Sequence, residues 1–187
     1  PKGRAAVLGP TYNEHAACLS AEGWQVNAVT DLADVVGADL AIIVNPNNPD
    51  GRHFAPETLL ALVGHVGLLV VDESFGDVTP DLSLLPHAGR AGLLVLRSFG
   101  KAYGLAGLRL GFALASSARA ATLRAALGPW AVSGPAPAHA ASRSHTGSGS
   151  VTLDRVRSEQ CSIDTGSGGV RGDGVQAQGC RVIDEQA

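Results

Sequence analysis

Six short apolar runs punctuate the first 115 residues, and several of them carry no polar side chain at all: Ala5–Leu8, Gln25–Val29, Leu40–Val44, Leu68–Val71, Gly92–Leu96 and Arg109–Ala115. A strand with one wet face alternates apolar and polar residues, so an unbroken apolar run of strand length implies cover on both faces. The intervening segments supply that cover. Pro56–Val66 reads as a helix with Pro near its first turn, where a missing N–H costs nothing. Ser116 or Ser117 caps a further helix that runs to Leu127 and stops at Gly128-Pro129. Strands alternating with helices in this way predict an α/β domain with a mainly parallel sheet and flanking helices.

Composition agrees with such a core and excludes several other classes. Hydrophobic residues make up 45% of the 187, only 4% are aromatic, and the net charge is −3, so the interior is aliphatic and no global basic field attracts nucleic acid or an anionic membrane. No apolar run approaches the ~20 residues that span a bilayer. Cys18, Cys161 and Cys180 form no C-x-x-C pair, which speaks against a zinc site or a disulfide scaffold and for a reducing cytoplasm. From about Ala141 the character changes, and residues 142–187 read as a Gly/Ser-rich disordered tail with one short strand around Arg181–Ile183. The start at Pro1 and the absence of Met lead to the expectation of a fragment.

Open α/β sheets bind ligands just beyond the carboxyl ends of their strands. Four such loops carry unusual residues: Gly9-Pro10-Thr11-Tyr12, Asn45-Pro46-Asn47-Asn48-Pro49-Asp50-Gly51, Asp72-Glu73-Ser74-Phe75 and Arg97-Ser98-Phe99-Gly100-Lys101. Each alone has a plain explanation. Asn48-Pro49-Asp50-Gly51 is a good turn on conformational grounds, Asp72 could cap a turn, Lys101 could be a solvated lysine, and Tyr12 could be a core residue.

Their order and combination point further. The stretch from Arg97 to Gly111, with Ser98 three residues before Lys101 and Arg109 eight after it within Gly107-Leu108-Arg109-Leu110-Gly111, closely resembles the lysine segment of fold-type I enzymes dependent on pyridoxal 5'-phosphate (PLP). Asn47-Asn48-Pro49-Asp50-Gly51 and the strand-end Asp72 precede it in that family's order.

The resemblance implies a cofactor site. Lys101 would bind the PLP aldehyde, Asp72 would keep the pyridine nitrogen protonated, and Asn48 would donate to the phenolic oxygen. Ser98 and Arg109 would hold the phosphate, and Tyr12 would stack on the ring. Two positions depart from the family. Phe75 stands where relatives often have Tyr, removing a hydroxyl from the phenolic oxygen, and Gly100 stands where they often have Ser or Thr, removing a phosphate contact.

Among phosphate-substrate branches the wording around Lys101, Asp72 and Tyr12 most resembles the threonine-phosphate decarboxylases of cobalamin synthesis, with the histidinol-phosphate aminotransferases as the alternative. The implied reaction converts L-threonine O-3-phosphate, a phosphorylated amino-acid substrate, to (R)-1-amino-2-propanol O-2-phosphate, and the resemblance allows a homodimer. It covers roughly Gly3 to Ala141, and residues 1–141 are read as an incomplete PLP-binding large-domain core. The family's Gly-rich phosphate loop and substrate-carboxylate arginine are not recognisable, so a catalytically inert remnant is the reading of a different class.

Overall fold

The computed structural model describes residues 2–128, 131–132 and 180–184. Seven strands form one sheet: β1 (Arg4–Leu8), β2 (Gln25–Val29), β3 (Leu40–Val44), β4 (Leu69–Asp72), β5 (Leu93–Ser98), β6 (Gly111–Ala115) and β7 (Cys180–Asp184). Their order is β2-β1-β3-β4-β5-β6-β7, and every neighbouring pair is parallel except β5 with β6. Among the described residues three α-helices accompany them, α1 (Glu14–Ala21), α2 (Pro56–Leu60) and α3 (Ser117–Leu127).

The apolar runs are explained by two cores, one on each face of the sheet. Successive side chains of a strand point to opposite faces. Ala6, Leu8, Ala41, Ile43, Leu69, Val71, Leu93 and Val95 accordingly enter one core with Leu59 and Leu84. Their neighbours Val7, Ile42, Val70 and Leu94 enter the other, where Ala120 of α3 and the partly buried Ala16 and Leu19 of α1 close over them. A third, smaller cluster of Phe99 and Leu110 with Tyr103, Leu105, Leu108 and Phe112 pins the loop between β5 and β6.

Several expected boundaries move. The helix expected over Pro56–Val66 ends at Leu60, because Leu62 and Val63 donate to Leu59 and Leu60 in three-residue turns and Gly64 takes φ +94°. The strand expected from Arg109 begins at Gly111. Arg109 itself closes a short 3-10 turn in the left-handed region at φ 50°. β4 extends one residue further than expected, so Asp72 is the last strand residue rather than part of the loop. Ser116 sits at the start of α3 without a side-chain capping bond, and Gly128 at φ 70° ends it. Helix α1, with no fully buried residue, was not anticipated. The strand expected near Arg181–Ile183 is β7, and the disorder expected for the rest of 142–187 lies outside the described residues. Among the described residues no helix is long and apolar enough to cross a membrane.

Candidate functional site

The strand order reverses direction at β1, which pairs with β2 on one side and β3 on the other. Such a switch point opens a crevice at the carboxyl edge of the sheet. The loops after β1 and β3 meet there and are stitched together by one side chain. Asn47, 5% exposed, accepts from Thr11 Oγ1 at 2.6 Å, and its amide donates to the Pro10 carbonyl at 2.9 Å and to Asp50 Oδ1 at 2.7 Å. Arg52 adds a 3.0 Å bond to the Gly9 carbonyl. Asn45, 1% exposed, holds the other side of the loop by exchanging bonds with the Phe54 main chain. With Asn45 and Asn47 spent on the scaffold, Asn48 stands exposed between them and Gly51 and makes no side-chain hydrogen bond among the described residues.

At the end of β4, Asp72 is buried beneath these loops. Its Oδ1 accepts from the Ser74 main-chain N–H at 2.9 Å and from Ser74 Oγ at 2.5 Å, while Oδ2 meets His15 Nε2 at 2.8 Å. Burial pushes the carboxyl up, but the bonds from His15 and Ser74 and the electrostatic pull of His15 together outweigh it, and the net displacement is downward. Asp72 is thus held as a carboxylate in a nearly dry place. That is the property required of a partner for a protonated ring nitrogen.

The next residue is used differently. Glu73 is fully buried, accepts from the Leu84 N–H at 2.6 Å and Ser83 Oγ at 2.7 Å, and lies 3.4 Å from Arg97 Nε. Arg97 on β5 also pairs with Asp77 at 3.2 Å. Burial raises the Glu73 carboxyl above the usual range against the pull of these partners. The cluster braces the ends of β4 and β5, next to Asp72 and Ser98 in sequence. The strand-end motifs of the sequence include Glu73 and Arg97 without giving them a role, and His15 lies beyond them.

Beyond β5 the chain turns tightly. Ser98 Oγ accepts from the Gly100 N–H at 3.1 Å, and a Cβ at Gly100 would lie 3.2 Å from Ala106 Cα. The turn therefore has little room for the Ser or Thr common in relatives. Phe99, stacked 4.6 Å from Tyr103, anchors the loop in the third core. Lys101 projects outward, exposed, with Nζ 5.6 Å from the centre of the Phe75 ring. Its amine makes no hydrogen bond or ion pair among the described residues. The ring standing where relatives often have Tyr thus faces the lysine. Tyr12, 50% exposed, meets the His15 ring edge to face at 5.5 Å.

The structure therefore links Tyr12 and Asp72 through His15 and sets Lys101 over the β4 loop by way of Phe75, with Ser98 one strand away on β5. Arg109 is exposed at the far end of the lysine loop, where its guanidinium touches the Ala106 carbonyl at 3.4 Å. An open cavity of about 790 Å³ lined by Pro86, His87, Arg90, Ser116 and Ser117 lies by the segments that precede β5 and follow β6, at the opposite edge of the sheet, and holds none of these residues.

Known proteins resemble most of this chain. The profile of the family described as Aminotransferase class I and II matches residues 6–149. A threonine-phosphate decarboxylase of Sinorhizobium sp is 54% identical over 138 residues, covering 70% of this chain and 41% of the relative. The crystal structure of L-threonine-O-3-phosphate decarboxylase from Porphyromonas gingivalis superposes with a TM-score of 0.65 at 28% identity, covering 72% of this chain and 44% of that one. Histidinol-phosphate aminotransferase from Sinorhizobium meliloti, solved in complex with pyridoxal-5'-phosphate, gives 0.53 at 25% identity, over 60% and 36%. The chain thus spans about two fifths of the length of the relatives it matches.

Proposed function

Since the chain belongs to the class I and II aminotransferase family, we propose that it forms the PLP-binding part of an enzyme that decarboxylates L-threonine O-3-phosphate. The observation that carries the PLP part is a division of labour among adjacent side chains. Asn47, Asp50, Glu73 and Arg97 are consumed in the scaffold, while the amide of Asn48 and the amine of Lys101 are exposed and unbonded among the described residues, and Asp72, at the end of the strand next to β3, is a buried carboxylate. These free groups fit the donor set that PLP requires. The 54% identity to a threonine-phosphate decarboxylase supports the substrate.

When bound, PLP supplies an electron sink for the pair released as a bond to the substrate Cα breaks. The chain's own residues do the rest. Asp72 holds the proton on the pyridine nitrogen, because a carboxylate kept ionised in a dry place favours a neighbouring cation. Asn48 donates to the phenolic oxygen. Ser98 and Arg109 take the phosphate, and Tyr12 covers one face of the ring. Lys101 would hold the cofactor through its side-chain amine and, when that amine is free, would hold the proton delivered to the substrate Cα.

The holoenzyme is given threonine phosphate and, separately, histidinol phosphate with 2-oxoglutarate. CO₂ release from the first without glutamate from the second is the expected result. Glutamate without CO₂ would replace decarboxylation by transamination. Borohydride reduction followed by peptide mapping should place the cofactor on Lys101, and label on another lysine would remove that assignment.

A further inference from the structure

A strand that is apolar on both faces belongs inside a sheet, yet β6 lies outermost among the strands that precede α3. It reads Gly111-Phe112-Ala113-Leu114-Ala115, sends Ala113 and Ala115 into one core and packs Leu114 against the other. It holds no charge and no Pro, and its register with β5 runs from Leu94↔Ala115 to Ser98↔Gly111 without a bulge. Charges, Pro and bulges are what protect exposed edges, and β6 has none of them. The opposite edge of the sheet shows the contrast. There β2 is exposed at three of its five positions and carries Gln25 and Asn27, as a strand that meets water on one side does.

The outer side of β6 is met by β7. Gly111–Ala115 and Cys180–Asp184 pair in parallel, residue for residue, from Gly111↔Cys180 to Ala115↔Asp184. A parallel pair needs a crossover, and α3, which follows β6, lies against β7. The segment brings what the β6 edge lacks. Arg181 and Asp184 stand on the new outermost strand, where charged residues discourage further pairing. The segment is also peripheral to the rest of the sheet. β6 is its one strand neighbour, and the described members of the two large cores lie between Ala6 and Leu127.

We propose that the outer edge of β6 is an acceptor site for an extended peptide, which this chain fills with its own Cys180–Asp184. The ligand that fits is a short strand with an apolar centre, Val182-Ile183, between Arg181 and Asp184, docked parallel to Gly111–Ala115. Main-chain hydrogen bonds give such strand addition its affinity. Residues 128–179 tether the segment to α3. A tether supplies an effective concentration of about a millimolar or less, so free peptide at that concentration competes with the attached segment. The proposal rests on strand pairing and on no assignment of a cofactor.

The test combines Val182→Pro with Ile183→Pro in the full chain and follows amide hydrogen exchange. Successive amides of a strand point to opposite sides, so one of the two N–H groups removed faces β6 in any register. The amides of Gly111–Ala115 that point away from β5 should exchange about tenfold to a hundredfold faster, the effect of one or two lost hydrogen bonds, while those of β3 and β4 keep their rates. A synthetic Cys180–Asp184 peptide with blocked ends, at about 1 mM, should restore slow exchange, and the same peptide carrying both prolines should not. Protection kept because two copies pair through β6, seen as a dimer that the peptide dissociates, also supports the acceptor edge. Unchanged exchange at β6 in a monomeric variant overturns the proposal. So does an equal acceleration at β3 and β4, since the segment would then belong to the core. Failure of the first peptide, or success of the second, overturns the acceptor site. If the double variant does not fold, exchange in the wild-type chain decides. The outward amides of β6 should open together with those of β7 in denaturant too dilute to open β3 and β4, and opening only on global unfolding overturns the proposal.

Discussion

Replacing Asn47 separates the hydrogen bonds that hold the site from the groups that face it. The side chain is 5% exposed and makes three bonds, to Thr11, Pro10 and Asp50. Asn47→Ala removes all three and leaves the Pro10 carbonyl and the Thr11 hydroxyl without this partner. Three part-buried bonds at about 1 kcal/mol each, one of them to the exposed Asp50, give a loss of about 2–3 kcal/mol. For a chain of this size that corresponds to a fall in Tm of roughly 5–10 °C.

Asn47→Asp sharpens the argument. It keeps the acceptor facing Thr11 but turns a donor toward the Pro10 carbonyl and the Asp50 carboxylate into a second acceptor. Asp50 is held below the usual carboxylate range, first by the Arg52 N–H and then by Asn47, so at neutral pH two carboxylates would face each other. The Asp variant should be less stable than the Ala variant at pH 7 and regain stability as the pH falls and the new pair protonates. Chemical denaturation at several pH values measures both. An Asp variant as stable as wild type at pH 7, or an Ala variant that loses less than about 0.5 kcal/mol, a typical surface effect, would refute the role given to Asn47.

Other perturbations follow the same reasoning. Glu73 has a folded-state carboxyl held above its ordinary range by burial, so its contribution to stability is fully present below the unfolded value and is lost as pH rises through the folded one; Glu73→Gln should flatten that part of the stability-pH curve, and an unchanged slope would count against it. At Gly76 a Cβ would lie 2.7 Å from an Arg97 terminal nitrogen and 2.9 Å from Glu73 Cβ, and Gly76→Ala should cost about 1–3 kcal/mol by denaturation; no loss would show that the brace yields freely. Leu69 is fully buried in the larger core, and Leu69→Ala should cost about 2–5 kcal/mol, a result below 1 kcal/mol contradicting the packing described.

The strands were legible because burial on both faces is written locally. Leu40–Val44 lies as expected, and Ala5–Leu8, Leu68–Val71 and Gly92–Leu96 are each displaced by no more than two residues at an end. The lysine segment and the loops before it were legible for a related reason: residues that must meet one cofactor stand at strand ends, and strand ends are marked by the close of an apolar run. What could not be read locally is which polar side chains pair across the loops. Asn47 bonds to Thr11 over 36 residues, Arg97 to Asp77 over 20, and His15 to Asp72 over 57. Helix α1, which delivers His15, buries no residue fully and so leaves little apolar period to detect. The apolar pattern of the sequence determined that a covered sheet forms and where its strands lie. Only the tertiary strand order, with β1 between β2 and β3, decided which loop residues become scaffold and which stay free for a ligand, because a hydrogen-bond partner is set by proximity in space and not by spacing along the chain.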